Sequence, residues 1–368
     1  MSKNKKCTPA TAEKILKPAG YPPNKSKKRY RIFVIAPLLV VAGFCIGRAT
    51  VGANPQPHLT VIRENDTRYA YIHPLLTFSL DGRQSASFQK LNDQISDIIV
   101  REKKAGLVDD VGFYFRNANT GEWTGVNEDD KFSPASLLKV QIMIATLKLA
   151  EADPTLLSKR VKVVLEADLN QNESFKSPAY LANGGTYSID DLVRAMIVSS
   201  DNNAMTALQQ FIGPKALQQV YDDLYLQIRQ DDPVSNSTSP KTYSLTLRVL
   251  YNATYLSREM SNKAMALLTE TSFNSGIEQG VPSAVKVAEK FGERTVADRA
   301  TNRALSRELH DCGMIYYPDK PYVLCIMTQG REFDGLLQTI KEISASTYTF
   351  VENSPSPQAY ANTHLLER

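Results

Sequence analysis

Residues 133–150 read "SPASLLKVQIMIATLKLA". Ser133 followed by Pro134 has the pattern of an N-cap with proline at the first helical position, so the spacing predicts a helix starting here. On a helical wheel Leu137, Val140, Ile142, Met143, Ile144 and Leu147 surround the axis, and a helix that is apolar all round is buried. Ser136 then falls at the third helical position. Lys139, three residues on, shares its face and lies inside the protein. Desolvation lowers the pKa of a buried lysine and lets it act as a base, while the helix N-terminus favours negative charge developing on Ser136. A weak nucleophile beside a matched base suits acyl transfer. A lone S-x-x-K is equally well read as a capping serine and a packed lysine stem, so the rest of the chain has to decide.

Two further stretches carry chemistry. "SSDNNAM" places Ser200, Asp201 and Asn202 just after a helix predicted over 189–198, with Ser188 as its N-cap. Polar residues are ordinary at a helix–helix turn, but here Ser200 can relay a proton and Asn202 can hold a substrate amide. "AVKVAEKFG" (284–292) alternates as a strand and ends in Lys290-Phe291-Gly292. Lys290 offers a cation for a substrate carboxylate, and Gly292 lets substrate lie against the strand edge.

The surrounding pattern gives the architecture. Apolar residues at helical period run from Phe88 to Ile99, and Gly106 stops that helix. Residues 111–129 read as a hairpin around "NANTG". Helices follow at 203–225, 243–257 and 261–271, while 150–188 looks irregular. Strands at 312–317 and 322–329 are joined by "PDKP", and a long amphipathic helix runs from about 334 to 351. The expected fold class is α+β: a five-stranded antiparallel sheet built from both ends of the domain, flanked by helices, with an all-helical subdomain inserted between.

Composition bounds the rest. Residues 1–31 hold ten Lys/Arg against one acid, whereas the remaining 337 hold 33 Lys/Arg against 38 Asp/Glu. The positive charge therefore sits on a tail and not on the fold, which argues against nucleic acid as a partner. That tail leads into "IFVIAPLLVVAGFCIG" (32–47). With Arg48 snorkelling to the headgroups, residues 32–53 are long enough for one transmembrane helix. The basic flank places the N-terminus in the cytoplasm and the remainder outside. A signal peptide cut near "VGA" (51–53) is the alternative, with the same outcome for the following residues. The expected organisation is a basic tail (1–31), an anchor (32–53), a linker (54–68), a catalytic domain (69–352) and a loose tail (353–368). Four scattered histidines and the absence of C-x-x-C spacing argue against a metal site, and no cofactor is expected. In a simple "PDKP" hairpin Cys325 faces Met314 and lies diagonal to Cys312, so free thiols are expected.

"PASLLK", "SSDN" and "EKFG", in that order, resemble the S-x-x-K, S-D-N and K-T-G elements of the class A β-lactamase-like and penicillin-binding active-site serine hydrolases. "FSPASLLKV", "MIVSSDNNA" and "CGMIYY…KPYVLCIMTQG" extend the likeness over about 70–352. The resemblance implies that Ser136 is acylated by a β-lactam or a D-Ala-D-Ala-like amide of a peptidoglycan stem peptide. By the same resemblance Lys139 is base or relay, Ser200 protonates the leaving nitrogen, Asn202 orients the substrate amide, and Lys290 supports its carboxylate. The backbone N–H groups of Ser136 and Glu293 would form the oxyanion hole, and a monomer is expected. The alternatives to a β-lactamase are a D,D-peptidase and a slow-deacylating sensor. Two departures stand out. Phe291 replaces the usual Thr or Ser, with Arg294 or Thr295 as possible substitutes. There is also no glutamate from 174 to 258, where the family's deacylating acid follows S-D-N; Asp231 and Asp232 in "RQDDPVSNS" are the candidate carboxylates, and a solvated loop is the simpler reading of them.

Overall fold

The computed structural model describes residues 62–63, 68–77, 85–226, 236–298, 301 and 304–355. The proposed anchor at 32–53, Asp231, Asp232 and, of the tail expected at 353–368, residues 356–368 lie outside the described residues; Asn353 ends the last helix. Among the described residues no helix is long and apolar enough to cross a membrane.

The centre is a five-stranded antiparallel sheet. Its strands are β1 (Asp110–Asn117), β2 (Trp123–Val126), β3 (Val287–Ala297), β4 (Ala304–Ile315) and β5 (Tyr322–Gly330), in the spatial order β2-β1-β5-β4-β3. Strands from the two ends of the domain meet where β1 pairs with β5, Asp110 opposite Gln329 and Asn117 opposite Tyr322. β3 is an edge strand.

Side chains alternate across a strand, and the two faces build two cores. Val111, Phe113 and Phe115 of β1, Leu324 and Ile326 of β5, and Phe291 of β3 pack on one face. Helices α1 (Gln89–Lys104) and α7 (Phe333–Asn353) cover it through Leu91, Ile95, Leu336 and Ile340. Tyr114, Cys312, Met314, Cys325 and Met327 point to the other face, against the all-helical unit. That unit holds α2 (Lys139–Ala152), α3 (Ile189–Val198), α4 (Asn202–Asp223), α5 (Pro240–Tyr251) and α6 (Arg258–Leu268). Lys290 and Gly292, being even-numbered like Ala288, face the helical unit, while Glu289 and Phe291 face α7. α3 begins as the sequence predicts: Ser188 and Asp191 form a reciprocal capping box.

Three expectations change. The stretch 150–188 is not wholly irregular, because Arg160–Lys162 pairs with Thr186–Ser188 and closes the long segment between them into a loop. Ser133 does not cap the nucleophile helix with its side chain. Ala135 turns left-handed at φ 47°, a 3-10 turn runs over Ala135–Leu138, and the α-helix starts only at Lys139. The Ser133 carbonyl instead accepts a hydrogen bond from Nε2 of buried His310 (2.8 Å), whose Nδ1 accepts from the Thr328 N–H (3.3 Å). Burial holds His310 down at about 4, so it stays neutral and pins the start of the segment to β4. Finally, Cys312 and Cys325 are directly opposite each other and joined in a disulfide. Residues 316–321 form a longer turn than a simple "PDKP" hairpin, which shifts the register by two and keeps every side chain on its face while changing its partner.

Candidate active site

The site lies between the start of α2, the α3–α4 turn and the edge strand β3. Each wall contributes a group that its local structure fixes. Ser200 follows the last residues of α3 and adopts φ 53°, a conformation that usually selects glycine. Asp201 is structural. Its Oδ1 caps α4 at Ala204 N (3.0 Å) and accepts from Asn170 Nδ2 (3.0 Å), and its Oδ2 accepts from Leu181 N (2.7 Å). Gly292 brings β3 against the nucleophile. A Cβ there would lie 3.0 Å from the Pro134 carbonyl oxygen and 3.1 Å from Ser136 N.

Lys139 is fully buried at the centre. Its Nζ reaches Ser136 Oγ at 2.9 Å, Ser200 Oγ at 3.0 Å, the Ser200 carbonyl at 2.5 Å and Asn202 Oδ1 at 2.7 Å. The two shortest contacts go to oxygens that can only accept. A neutral amine with two hydrogens satisfies both and turns its one lone pair towards Ser136 Oγ. Desolvation lowers Lys139 to about 8, with Glu173, Asp201 and Glu293 partly opposing the shift. Lys290, also buried, donates to Ser200 Oγ (3.0 Å) and to the Phe291 carbonyl (3.1 Å). Burial, and then the Lys139 charge, push it well below an ordinary lysine. Lys290 donates to one lone pair of the Ser200 hydroxyl, whose own hydrogen can turn into the cleft.

The structure thus brings together Ser136, Lys139, Ser200, Asn202, Lys290 and Gly292, residues spread over more than 150 positions of sequence. The Glu293 side chain accepts from the backbone N–H groups of Ser174 (3.0 Å) and Phe175 (2.9 Å). Phe291 points to the α7 face. It stacks on Phe273 (centroids 4.1 Å apart, planes at 17°) and meets the edge of Phe175 at 6.2 Å. By strand alternation Arg294 shares the Lys290 face and Thr295 does not. Arg294 lies beyond Gly292, half-exposed beside Glu308 (3.9 Å), on the side away from Ser200. Neither residue restores the missing hydroxyl at the place of Phe291.

A carboxylate does reach the site, from before S-D-N and not after it. Glu173 Oε1 accepts from Asn202 Nδ2 (2.6 Å) and lies 4.0 Å from Lys139 Nζ, and Oε2 accepts from the Tyr180 hydroxyl (2.8 Å). Burial raises its pKa, partly offset by the Lys139 charge. The sequence reading passed over it because it sits in a polar stretch without periodicity. The signal, visible only in retrospect, is Asn170, a buried polar residue that ties the loop to both Asp201 and the Asn202 N–H. Among the described residues no cluster of three His, Cys, Asp or Glu could hold a metal ion.

Comparison with known proteins fits this geometry. The model of the β-lactamase enzyme family matches residues 90–351. The chain is 26% identical to β-lactamase OXY-1 of Klebsiella oxytoca over 233 residues, covering 60% of this chain and 76% of that protein. Among solved structures, PBP-A superposes with a TM-score of 0.60 at 22% identity, covering 72% of this chain and 97% of its own. A β-lactamase from Sphaerobacter thermophilus gives 0.58 at 22% identity, covering 72% and 98%. The chain belongs to the β-lactamase enzyme family and is a serine hydrolase.

Proposed function

We propose that this protein is a membrane-anchored, extracytoplasmic hydrolase that forms an acyl-enzyme through Ser136 with a β-lactam or a D-Ala-D-Ala-like amide. The observation that carries the reading is the Lys139 amine, held by two pure acceptors and 2.9 Å from Ser136 Oγ. Neutral Lys139 takes the Ser136 proton as Oγ attacks the carbonyl carbon. The Ser136 and Glu293 backbone N–H groups stabilise the oxyanion. Ser200 gives its proton to the leaving nitrogen as the C–N bond breaks and is reprotonated from Lys139, with Lys290 holding the relay. Asn202 orients the substrate amide. The relative named β-lactamase OXY-1 supports this chemistry. So does a point mutant of PBP-A solved as an acyl-enzyme complex with penicillin G, which covers 74% of this chain at a TM-score of 0.60. Residues 32–53 supply the anchor, and the basic tail holds the N-terminus in the cytoplasm.

The test uses the full chain in detergent with a fluorescent penicillin and a chromogenic cephalosporin, beside Ser136→Ala. The expected result is covalent label on the wild type, none on the variant, and steady cephalosporin turnover. Label that persists without turnover indicates a D,D-peptidase or sensor. A folded wild type that takes no label refutes the acyl-enzyme.

A further inference from the structure

We propose that Glu173 is the base that deprotonates the hydrolytic water, and that Glu293 and Phe291 are positioning residues that latch its loop over the cleft. This rests on the acyl-enzyme reading above.

Once Ser136 is esterified, Lys139 faces an ester oxygen at short range, and an incoming water needs an acceptor on the open side of it. Glu173 is there. Its two oxygens receive one protein hydrogen bond each, from Asn202 and Tyr180, out of about four lone-pair sites on a carboxylate. The remaining sites can take a water. Its side chain is only 10% exposed, so the carboxylate works in a shielded medium where its charge acts strongly. Burial also raises its pKa, which makes the ionised form a better proton acceptor.

The loop that carries it is built onto β3 by side chains the acylation step does not use. The Glu293 carboxylate receives two consecutive N–H groups, Ser174 and Phe175, immediately after Glu173. The Phe175 ring then packs edge-on against Phe273 (5.3 Å), Phe333 (5.2 Å) and Phe291 (6.2 Å). A threonine at position 291 would leave that ring without one wall. The two departures in the sequence are therefore one device: the aromatic that displaces a hydroxyl seats the loop that delivers a carboxylate from the opposite side.

In the step itself, the water proton passes to Glu173 as the water oxygen bonds to the acyl carbon and the carbonyl pair moves onto its oxygen. Collapse breaks the bond to Ser136 Oγ. The carbonyl pair re-forms the double bond and the C–O bonding pair leaves with Oγ, while the proton on Glu173 passes to neutral Lys139 and from its ammonium to Oγ. The product leaves as a carboxylic acid.

The experiment follows formation and decay of the fluorescent-penicillin adduct on the full chain by stopped flow and intact mass. Variants are Glu173→Gln, Glu173→Asp, Glu293→Gln, Glu293→Asp and Phe291→Thr, each checked by thermal melting. Glu173→Gln is expected to slow deacylation about 100-fold or more and acylation at least tenfold less than that, and to remove the acidic limb of the deacylation pH profile. Glu173→Asp is expected to fall between, and it carries the test if Glu173→Gln does not fold. Glu293→Gln and Phe291→Thr are expected to slow deacylation about tenfold and to shift that limb, with partial rescue by Glu293→Asp. A loop that is merely structural would change melting and leave the limb in place. Wild-type adduct that clears at the same rate in Glu173→Gln, or that persists for hours in the wild type, overturns this inference alone. A wild type that never labels overturns the acyl-enzyme and this inference with it.

Discussion

If Lys139 is the base for acylation, the acylation rate must follow its deprotonation. Burial lowers it from 10.5 to about 8. At pH 7 about one Lys139 in ten is then neutral, against about one in three thousand for an ordinary lysine, a gain of about 300-fold in usable base or about 3 kcal/mol. The logarithm of the acylation rate should therefore climb with unit slope from pH 5.5 to about 8 and level off above. Lys139→Arg keeps the charge but cannot deprotonate, so it should lose the limb and about 1000-fold in rate. Lys290→Arg should lower the rate and keep the limb, since Lys290 touches Ser200 and not Ser136. Stopped-flow quenching on mixing with fluorescent penicillin measures all three. A profile flat between pH 6 and 9, a midpoint near 10.5, or a limb surviving in Lys139→Arg would refute the assignment.

Gly292→Ala places a methyl 3.0 Å from the Pro134 carbonyl oxygen and 3.1 Å from Ser136 N, so β3 must retreat from the nucleophile; acylation should fall about 100-fold with little change in melting temperature. Replacing Cys312 and Cys325 together by alanine opens a loop with a sequence separation of 13, which should cost about 3 kcal/mol and lower the melting temperature by about 5–10 °C, with dithiothreitol giving the same shift in the wild type only. Buried Asp311 is raised to about 7 from 3.8, chiefly by desolvation, and Glu289 is raised by desolvation and by Asp311. The folded state holds these protons more tightly than the unfolded chain, so stability should fall as pH rises from about 4 to about 7 and stay low above; Glu289→Gln should flatten that slope in thermal melts.

The parts of the site that were legible are those that ride on periodic elements. The apolar wheel around Lys139 predicted its burial, and the alternation of β3 put Lys290 and Gly292 on one face. Ser200-Asp201-Asn202 sits where a helix must turn, so its position follows from the helix boundaries. Glu173 was not legible because side chains such as Asn170 and Glu293 fix its loop, and their partners lie 31 and 118 residues away. The role given to Ser133 failed because a distant histidine claims its carbonyl, and no local rule contains His310. The cysteine pairing failed on loop length. Parity fixed the face of each cysteine, but only the six-residue turn fixes which residue it meets.

The pairing of β1 with β5 joins residues more than 200 positions apart in the chain, from Asp110 with Gln329 to Asn117 with Tyr322. A ribosome at about 5–20 residues per second therefore releases the hairpin β1–β2 and the helices bearing Ser136, Lys139 and Ser200 well before β3 and β5 exist. For that interval the nascent chain carries a nucleophile and its amine without Lys290, and the β1 edge is an open template for any other strand. Until Val287–Ala297 arrives, the site lacks the wall that carries Lys290 and Gly292. The unfinished chain's vulnerable moment is aggregation through β1, which closes only when Tyr322–Gly330 arrives.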